Sequence, residues 1–297
     1  MNMSRAAEHG GRRLTLAGHI VARDAAPFVI AEIGVNHQGR QDVARAMILA
    51  AARSGADAVK FQLFDADLLL ANEAGLVDYQ KTAANAQSAR DLLAPLQLSP
   101  EQLRPLVTLA HAYGMAAVVT PFSPALVAAT VDLGVDAIKL ASPDLVNLPL
   151  AQAAAETGKP LILSTGAATW AEIDQTLQWL AAARDRIILL QCVSSYPTPP
   201  DAANLQIIAA MRSRYPDLPI GYSDHTRETI TGALAVATGA CLLEKHFTLD
   251  ANADGPDHRS SLPPAEFRAY AGLAGQAFAM RGGAEKQVLP MEEPVRR

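Results

Sequence analysis

Cysteine is nearly absent from this chain: Cys192 and Cys241 are the two among 297 residues. Each lies inside an apolar, strand-like run, so both are expected to be buried thiols rather than disulfide partners or metal ligands. Basic charge is scarce as well. The formal net charge is −5 and the pI about 5.8, with no local cluster of Lys and Arg, which argues against a nucleic-acid or anionic-membrane partner. Long apolar stretches are missing too, and no uninterrupted run approaches the roughly 20 residues of a membrane span. The polar opening from Met1 to Arg13 has no signal-peptide core, so a cytoplasmic location is expected. What the chain does hold is apolar material for a large core, with 50% of residues hydrophobic and 19% charged. Its length suits a single α/β barrel without requiring a second domain.

From Phe28 onward a pattern repeats: a short apolar or β-branched run, a polar turn, then a helical stretch rich in alanine and leucine. The runs are Phe28–Ile33, Ala58–Gln62, Ala116–Thr120, Ala137–Leu140, Leu161–Thr165, Ile187–Cys192, Ile220–Ser223 and Cys241–His246. Between and after them, helical periodicity covers Asp42–Ser54, Glu101–Tyr113, Pro124–Leu133, Leu148–Thr157, Trp170–Ala183, Ala203–Tyr215, Thr226–Thr238 and Pro264–Met280. Several of these stop at a glycine, the usual left-handed helix end. Eight near-continuous apolar strands, each followed by a helix, predict a closed (β/α)8 TIM barrel over residues 28–281. Ahead of it, residues 1–27 read as a loose tail and a short hairpin from Leu14 to Val21, turning at Gly18 and able to plug one barrel end. Residues 282–297 read as a tail or a linker. One connection stands apart: from Gln62 to Ser99, around Tyr79-Gln80-Lys81, the chain is too long for a plain βα loop and is expected to shape a substrate pocket.

In barrels of this kind the chemistry gathers at the carboxyl ends of the strands. Here the runs present, in order, Glu32, then Lys60 and Gln62, Thr120, Lys139 and Ser142, and Ser164. The later runs add Gln191 followed by Ser194 and Tyr196, then Ser223 and His225, and finally Glu244 and His246. Two lysines among several hydroxyls have the composition of an anion or phosphate pocket. The competing reading pairs each lysine with a core carboxylate such as Glu32 or Glu244. His225 and His246 fall on neighbouring strand ends, where an imidazole pair with nearby carboxylate suits a divalent metal with open positions. Such mixed ligation favours manganese, zinc or iron over calcium. Glu32 lies next to the last strand across the closure, as a general acid or base or a substrate anchor. His37 is placed to line the same site, whereas His111 falls inside a helical pattern and is expected at the surface.

Taken in this order, the residues resemble the sialic acid synthase family, the nonulosonate synthases. The resemblance rests on Ile30-Ala-Glu-Ile-Gly-Val-Asn-His37, Ala58-Val-Lys-Phe-Gln62, Thr120-Pro-Phe-Ser123, Ile138-Lys-Leu-Ala-Ser142 and Leu163-Ser-Thr-Gly166. It continues through Gln191-Cys-Val-Ser-Ser-Tyr-Pro-Thr-Pro199, Gly221-Tyr-Ser-Asp-His-Thr226, Glu244-Lys-His-Phe-Thr-Leu-Asp250 and Gly255-Pro-Asp-His258. It implies a transferase that condenses phosphoenolpyruvate, the open-chain aldehyde of an N-acetylated hexosamine and water into a nonulosonic acid and phosphate. By the same resemblance His225 and His246 hold the metal, manganese first, with magnesium or cobalt as alternatives. Lys60, Lys139, Ser142, Ser164 and Ser223 hold phosphoenolpyruvate, and Glu32 orients the aldehyde or shuttles its proton. Gln62, Thr120, Tyr196, Glu244 and Asp257 line the pocket, with Asp257 facing a sugar hydroxyl. Ser194 stands where some members that use N-acetylmannosamine carry asparagine, which leaves 2,4-diacetamido sugars open as acceptors. Family members usually continue into an antifreeze-like domain that reaches the neighbouring protomer in a domain-swapped dimer, whereas this sequence stops at Arg297. A homodimer and a separate lid protein are therefore both expectations. Another phosphoenolpyruvate-dependent 3-deoxy-sugar-acid synthase and a non-catalytic phosphosugar-binding barrel are the alternatives.

Overall fold

The computed structural model describes residues 12–69, 89–283 and 285–296. The tail expected over residues 1–10 and the Tyr79-Gln80-Lys81 stretch lie outside them. A hairpin comes first, β1 (Leu14–Leu16) paired antiparallel with β2 (His19–Val21). Eight parallel strands follow: β3 (Phe28–Gly34), β4 (Ala58–Leu63), β5 (Ala116–Pro121), β6 (Ala137–Leu140), β7 (Leu161–Ser164), β8 (Ile187–Cys192), β9 (Ile220–Asp224) and β10 (Leu242–His246). They close in the order β10-β3-β4-β5-β6-β7-β8-β9, so the first and last barrel strands are neighbours.

Both faces of these strands are covered, which is why they read as apolar runs rather than as alternating ones. Alternation nevertheless sorts their side chains into two cores. Phe28, Ile30, Ala58, Val118, Ala137, Ile162, Ile188, Leu190 and Leu242 fill the barrel, and Leu16 and Val21 of the hairpin join them. The hairpin therefore does plug one end. Val29, Val59, Phe61, Val119, Ile138, Leu163, Leu189, Tyr222 and Leu243 face outward and pack with Met47, Leu103, Leu150, Leu177, Ile208 and Phe267 of the helices. The inner core is apolar only toward the amino ends of the strands, and polar side chains take over at the other end.

Several helices are shorter than their sequence pattern. The stretch expected from Thr226 is helical only over Thr231–Thr238, because the Asp224 carboxylate accepts the Thr226 N–H at 2.8 Å and makes a turn there. The one expected over Ala203–Tyr215 runs Gln206–Arg214, after a residue with positive φ at Asn204. The Trp170 helix stops at Trp179 and continues as a 3-10 segment, Ala181–Arg186. Ser99 and Thr169 open their helices with complete capping boxes to Gln102 and Glu172. Among the described residues, no helix is long and apolar enough to cross a membrane.

Candidate active site

The barrel register assembles the polar residues directly. Glu32 of β3 pairs across the closure with His246 of β10 and, on its other side, with Lys60 of β4. Ser223 of β9 pairs with Glu244 of β10. The result is a cavity of about 470 Å3 lined by Glu32, Lys60, Gln62, Thr120, Lys139, Ser142, Ser164, Ser194, Tyr196, Ser223, His225, Glu244, His246 and Asp257. Every candidate named from the pattern of strand ends and from the resemblance is there, Gln191 and His37 excepted.

Lys60 lies between two carboxylates, its Nζ 3.3 Å from Glu32 Oε1 and 3.3 Å from Glu244 Oε2. Lys139 is the freer lysine. Its Nζ stands 3.7 Å from Glu244 Oε1 and donates to the Leu140 carbonyl at 3.2 Å. Both lysines and both glutamates are buried. Although Lys60 is equidistant from them, the two glutamates titrate in opposite directions. Burial raises Glu32, with Lys60 only partly offsetting it. Burial pushes Glu244 up too, but Lys139, Lys60 and the Ser223 hydroxyl, bonded to Oε1 at 2.8 Å, outweigh it and hold that carboxyl low. Burial likewise raises Asp257 to about 6, although His225 and Lys60 pull it down. Thr120 Oγ1, Ser164 Oγ, Glu32 Oε2 and His246 Nδ1 are buried without a hydrogen-bond partner. Leaving such groups unsatisfied costs about 1–3 kcal/mol each, and their concentration on one cavity marks a ligand site.

A sequence profile matches residues 47–286, and it describes the NeuB family. The chain belongs to the NeuB family. It is 36% identical over 275 residues to N,N'-diacetyllegionaminic acid synthase of Legionella pneumophila, which covers 91% of this chain and 77% of that one. The Campylobacter jejuni protein of the same name is 41% identical over 245 residues, 81% of this chain and 73% of its own. Among solved structures, sialic acid synthetase from Leptospira borgpetersenii, in complex with citrate, overlays with a TM-score of 0.88 at 30% identity, covering 97% of this chain and 96% of that one.

In this NeuB-family barrel the two histidines converge, with ring centroids 5.4 Å apart. His225 Nδ1 lies 2.8 Å from the Val193 carbonyl and donates to it, and although burial pulls this imidazole down, Cys192 and that carbonyl lift it above its usual range. Burial holds His246 well below the usual imidazole range, followed in effect by His225 and Lys60, so it is neutral. Tyr196 packs over His225 at 4.0 Å, and Asp257 Oδ2 stands 3.8 Å from His246 Nδ1. Among the described residues no group of three or more His, Cys, Asp or Glu is arranged as a metal site. Two imidazoles on neighbouring strand ends, His246 neutral and with an unpartnered Nδ1, do fit a divalent ion that takes its other ligands from substrate and water.

Two sequence expectations need correcting, and both corrections follow from strand geometry. Gln191 faces outward and lines a separate cavity with Thr165, Trp170 and Ile207. Its neighbour Cys192 turns inward instead, lining the active cavity with Sγ 3.8 Å from His225 Nδ1. His37 lies past the end of β3, buried, where Nδ1 accepts the Gly39 N–H at 3.0 Å; it does not line the cavity. An apolar lip of Val35, Phe64, Leu93, Phe122 and Pro256 was not anticipated. Extending the period of two from Lys60 and Gln62 to Phe64, and from Thr120 to Phe122, would have found part of it. His111 is at the surface, as expected, 2.8 Å from Asp136 Oδ2, and both cysteines are free buried thiols.

Proposed function

We propose that this chain is a nonulosonate synthase, joining phosphoenolpyruvate, an N-acetylated hexosamine and water into a nonulosonic acid and inorganic phosphate. The observation that carries the proposal is the single cavity in which two buried lysines, two glutamates, unpartnered hydroxyls and two imidazoles meet, in a NeuB-family barrel. In the reaction C3 of phosphoenolpyruvate bonds to the aldehyde carbon, whose oxygen takes a proton. Water adds to C2, and the C2–O bond to phosphate breaks to leave the ketone. Charge therefore develops at the aldehyde oxygen and at C2, and fixed groups aimed at both places lower the barrier without reorganising.

Lys139 is the principal phosphate ligand in this proposal, because Lys60 is already neutralised by Glu32 and Glu244. Ser164 and Thr120 offer hydroxyls with unmet hydrogen-bonding capacity. Ser142 accepts the Gly166 N–H at 3.0 Å and sets its hydroxyl beside the Cys192 thiol at the same end of the cavity. Ser223 is committed to Glu244 and acts through it. Glu32, raised by burial, is suited to carry the proton of the aldehyde oxygen. His225 and His246 would hold a divalent cation, manganese first, which when bound supplies Lewis acidity toward the aldehyde. Asp257 faces the acceptor in this reading, whereas the Ser194 hydroxyl stands beside that of Ser142 at Gly166 and bears on the acceptor through the residue type at its position. The names of the Legionella and Campylobacter relatives make a 2,4-diacetamido sugar of the legionaminic type the first acceptor to try, ahead of N-acetylmannosamine. A cytoplasmic homodimer completes the proposal.

The test is phosphate release from phosphoenolpyruvate in the presence of Mn2+, with a panel of acceptors and the product read by mass. Release that depends on an N-acetylated sugar is expected. Release only with phosphorylated, non-acetylated sugars would point instead to another 3-deoxy-sugar-acid synthase, and no release with any acceptor would sink the enzymatic reading.

A further inference from the structure

Behind the two histidines, on the outer face of the barrel, lies a second charged cluster that the reaction does not touch. The side chains of Lys245 and Asp224 are fully shielded from solvent, with Lys245 Nζ 3.1 Å from Asp224 Oδ2. The residues pair across β10 and β9, and alternation turns both away from the cavity that Glu244, His246, Ser223 and His225 enter. The same ammonium donates to the Thr226 carbonyl and lies 3.3 Å from Thr226 Oγ1. Asp224 Oδ1 accepts the Thr226 N–H at 2.8 Å, and the Thr226 hydroxyl continues to Thr231 at 2.8 Å. Thr226 is thus held at every polar atom it has. His225 is the residue between Asp224 and Thr226, and His246 follows Lys245.

A buried ion pair is no more stabilising than apolar packing of the same volume, so its presence here calls for a reason other than stability. We infer that the Lys245–Asp224 pair is a positioning device, which ties the turn carrying His225 to the strand carrying His246 and so sets the separation of the two rings. The Tyr270 ring, 5.3 Å from the ammonium, closes the cluster from the outside. The inference builds on the metal reading above, but its first readout does not depend on it.

Lys245→Met alone leaves Asp224 unpaired and is expected to unfold, so the informative variant is Asp224→Asn/Lys245→Met, which removes both charges. Asp224→Asn/Lys245→Gln, which also removes both charges but keeps polar side chains able to bond the Thr226 turn, is a second variant should the first not fold. In metal-free protein, 15N spectra of the histidine rings should show His225 as one tautomer in the wild type, with the proton on Nδ1, and averaged tautomers in the variants. Mn2+ titration without substrates should show binding weakened about tenfold or more in the double variant, with phosphoenolpyruvate affinity within twofold. A folded variant with the wild-type histidine spectrum would overturn the inference, as would parallel loss of both affinities. A wild-type protein that binds no Mn2+ would defeat the metal reading and leave the histidine spectrum to decide.

Discussion

Lys60 and Lys139 look equivalent in sequence, each three residues beyond an aspartate in Asp57-Ala-Val-Lys and Asp136-Ala-Ile-Lys, yet their surroundings give them different tests. Removing Lys60 strips a shared partner from two buried carboxylates, a loss of the kind that costs about 3–5 kcal/mol, and would confuse function with folding. Lys139 shares its one carboxylate, Glu244, with Lys60, which stays to pair it when Lys139 is removed. Lys139→Ala is therefore expected to fold and to raise the KM for phosphoenolpyruvate about tenfold or more, the worth of a hydrogen bond to a charged group, with the sugar KM changed by less than twofold. Equal changes in both would contradict its assignment. Ser164 adds a test with opposite signs. Its hydroxyl is buried and unpartnered, so Ser164→Ala should leave the free protein as stable or up to about 1 kcal/mol more stable while weakening phosphoenolpyruvate. Thermal melting and initial rates on the same preparation would check both halves. For His246, a strand-end residue, replacement by alanine should lower the metal content of purified protein without unfolding it; unchanged content would remove it from the metal site.

At the scale of elements, β3 shows what the sequence could and could not reveal. The apolar run Phe28–Ile33 and the inward placement of Glu32 follow from hydrophobicity and alternation alone, as do the other seven strands and the hairpin plug. The register shift between Glu32 and Gly34 is a product of tertiary pairing with β4, and no local pattern announces it. Gly34 has φ +53, and a Cβ there would lie 3.2 Å from Glu32 Oε1 and 3.3 Å from both Asp257 Oδ2 and Gln62 Nε2. Gly34→Ala should therefore cost about 1–2 kcal/mol in backbone strain and shift three cavity side chains, so kcat should fall by more than the melting temperature suggests. Wild-type kcat in this variant would show that the bulge does not set Glu32. Helix starts were less legible than strands, because the turns that delay them depend on single side chains such as Asp224. The inward thiol of Cys192 was hidden for another reason: a run apolar on both faces, Ile187–Cys192, carries no polar alternation to set its phase.

Among the described residues, several buried polar atoms without a hydrogen-bond partner belong to side chains of the one cavity, above the apolar core that fills the amino end of the barrel. Glu32 Oε2, Thr120 Oγ1, Ser164 Oγ and His246 Nδ1 come from four different strands, β3, β5, β7 and β10, spaced around the ring. A ligand that satisfies them engages the barrel on all sides at once, so its binding energy is felt by global unfolding rather than by one loop. At a phosphoenolpyruvate concentration about a hundred times its Kd, linkage adds about 2.7 kcal/mol, which for a domain of this size raises the melting temperature by about 5–10 °C. The increase should be seen in a single cooperative transition, grow further with Mn2+, and shrink in Lys139→Ala more than in Gly34→Ala, since the first loses a phosphate contact and the second disturbs the acceptor side. Calorimetry of the three proteins with and without both ligands checks this. Stabilisation that is equal in Lys139→Ala and wild type would place phosphoenolpyruvate away from the cavity, whatever the catalytic assays report.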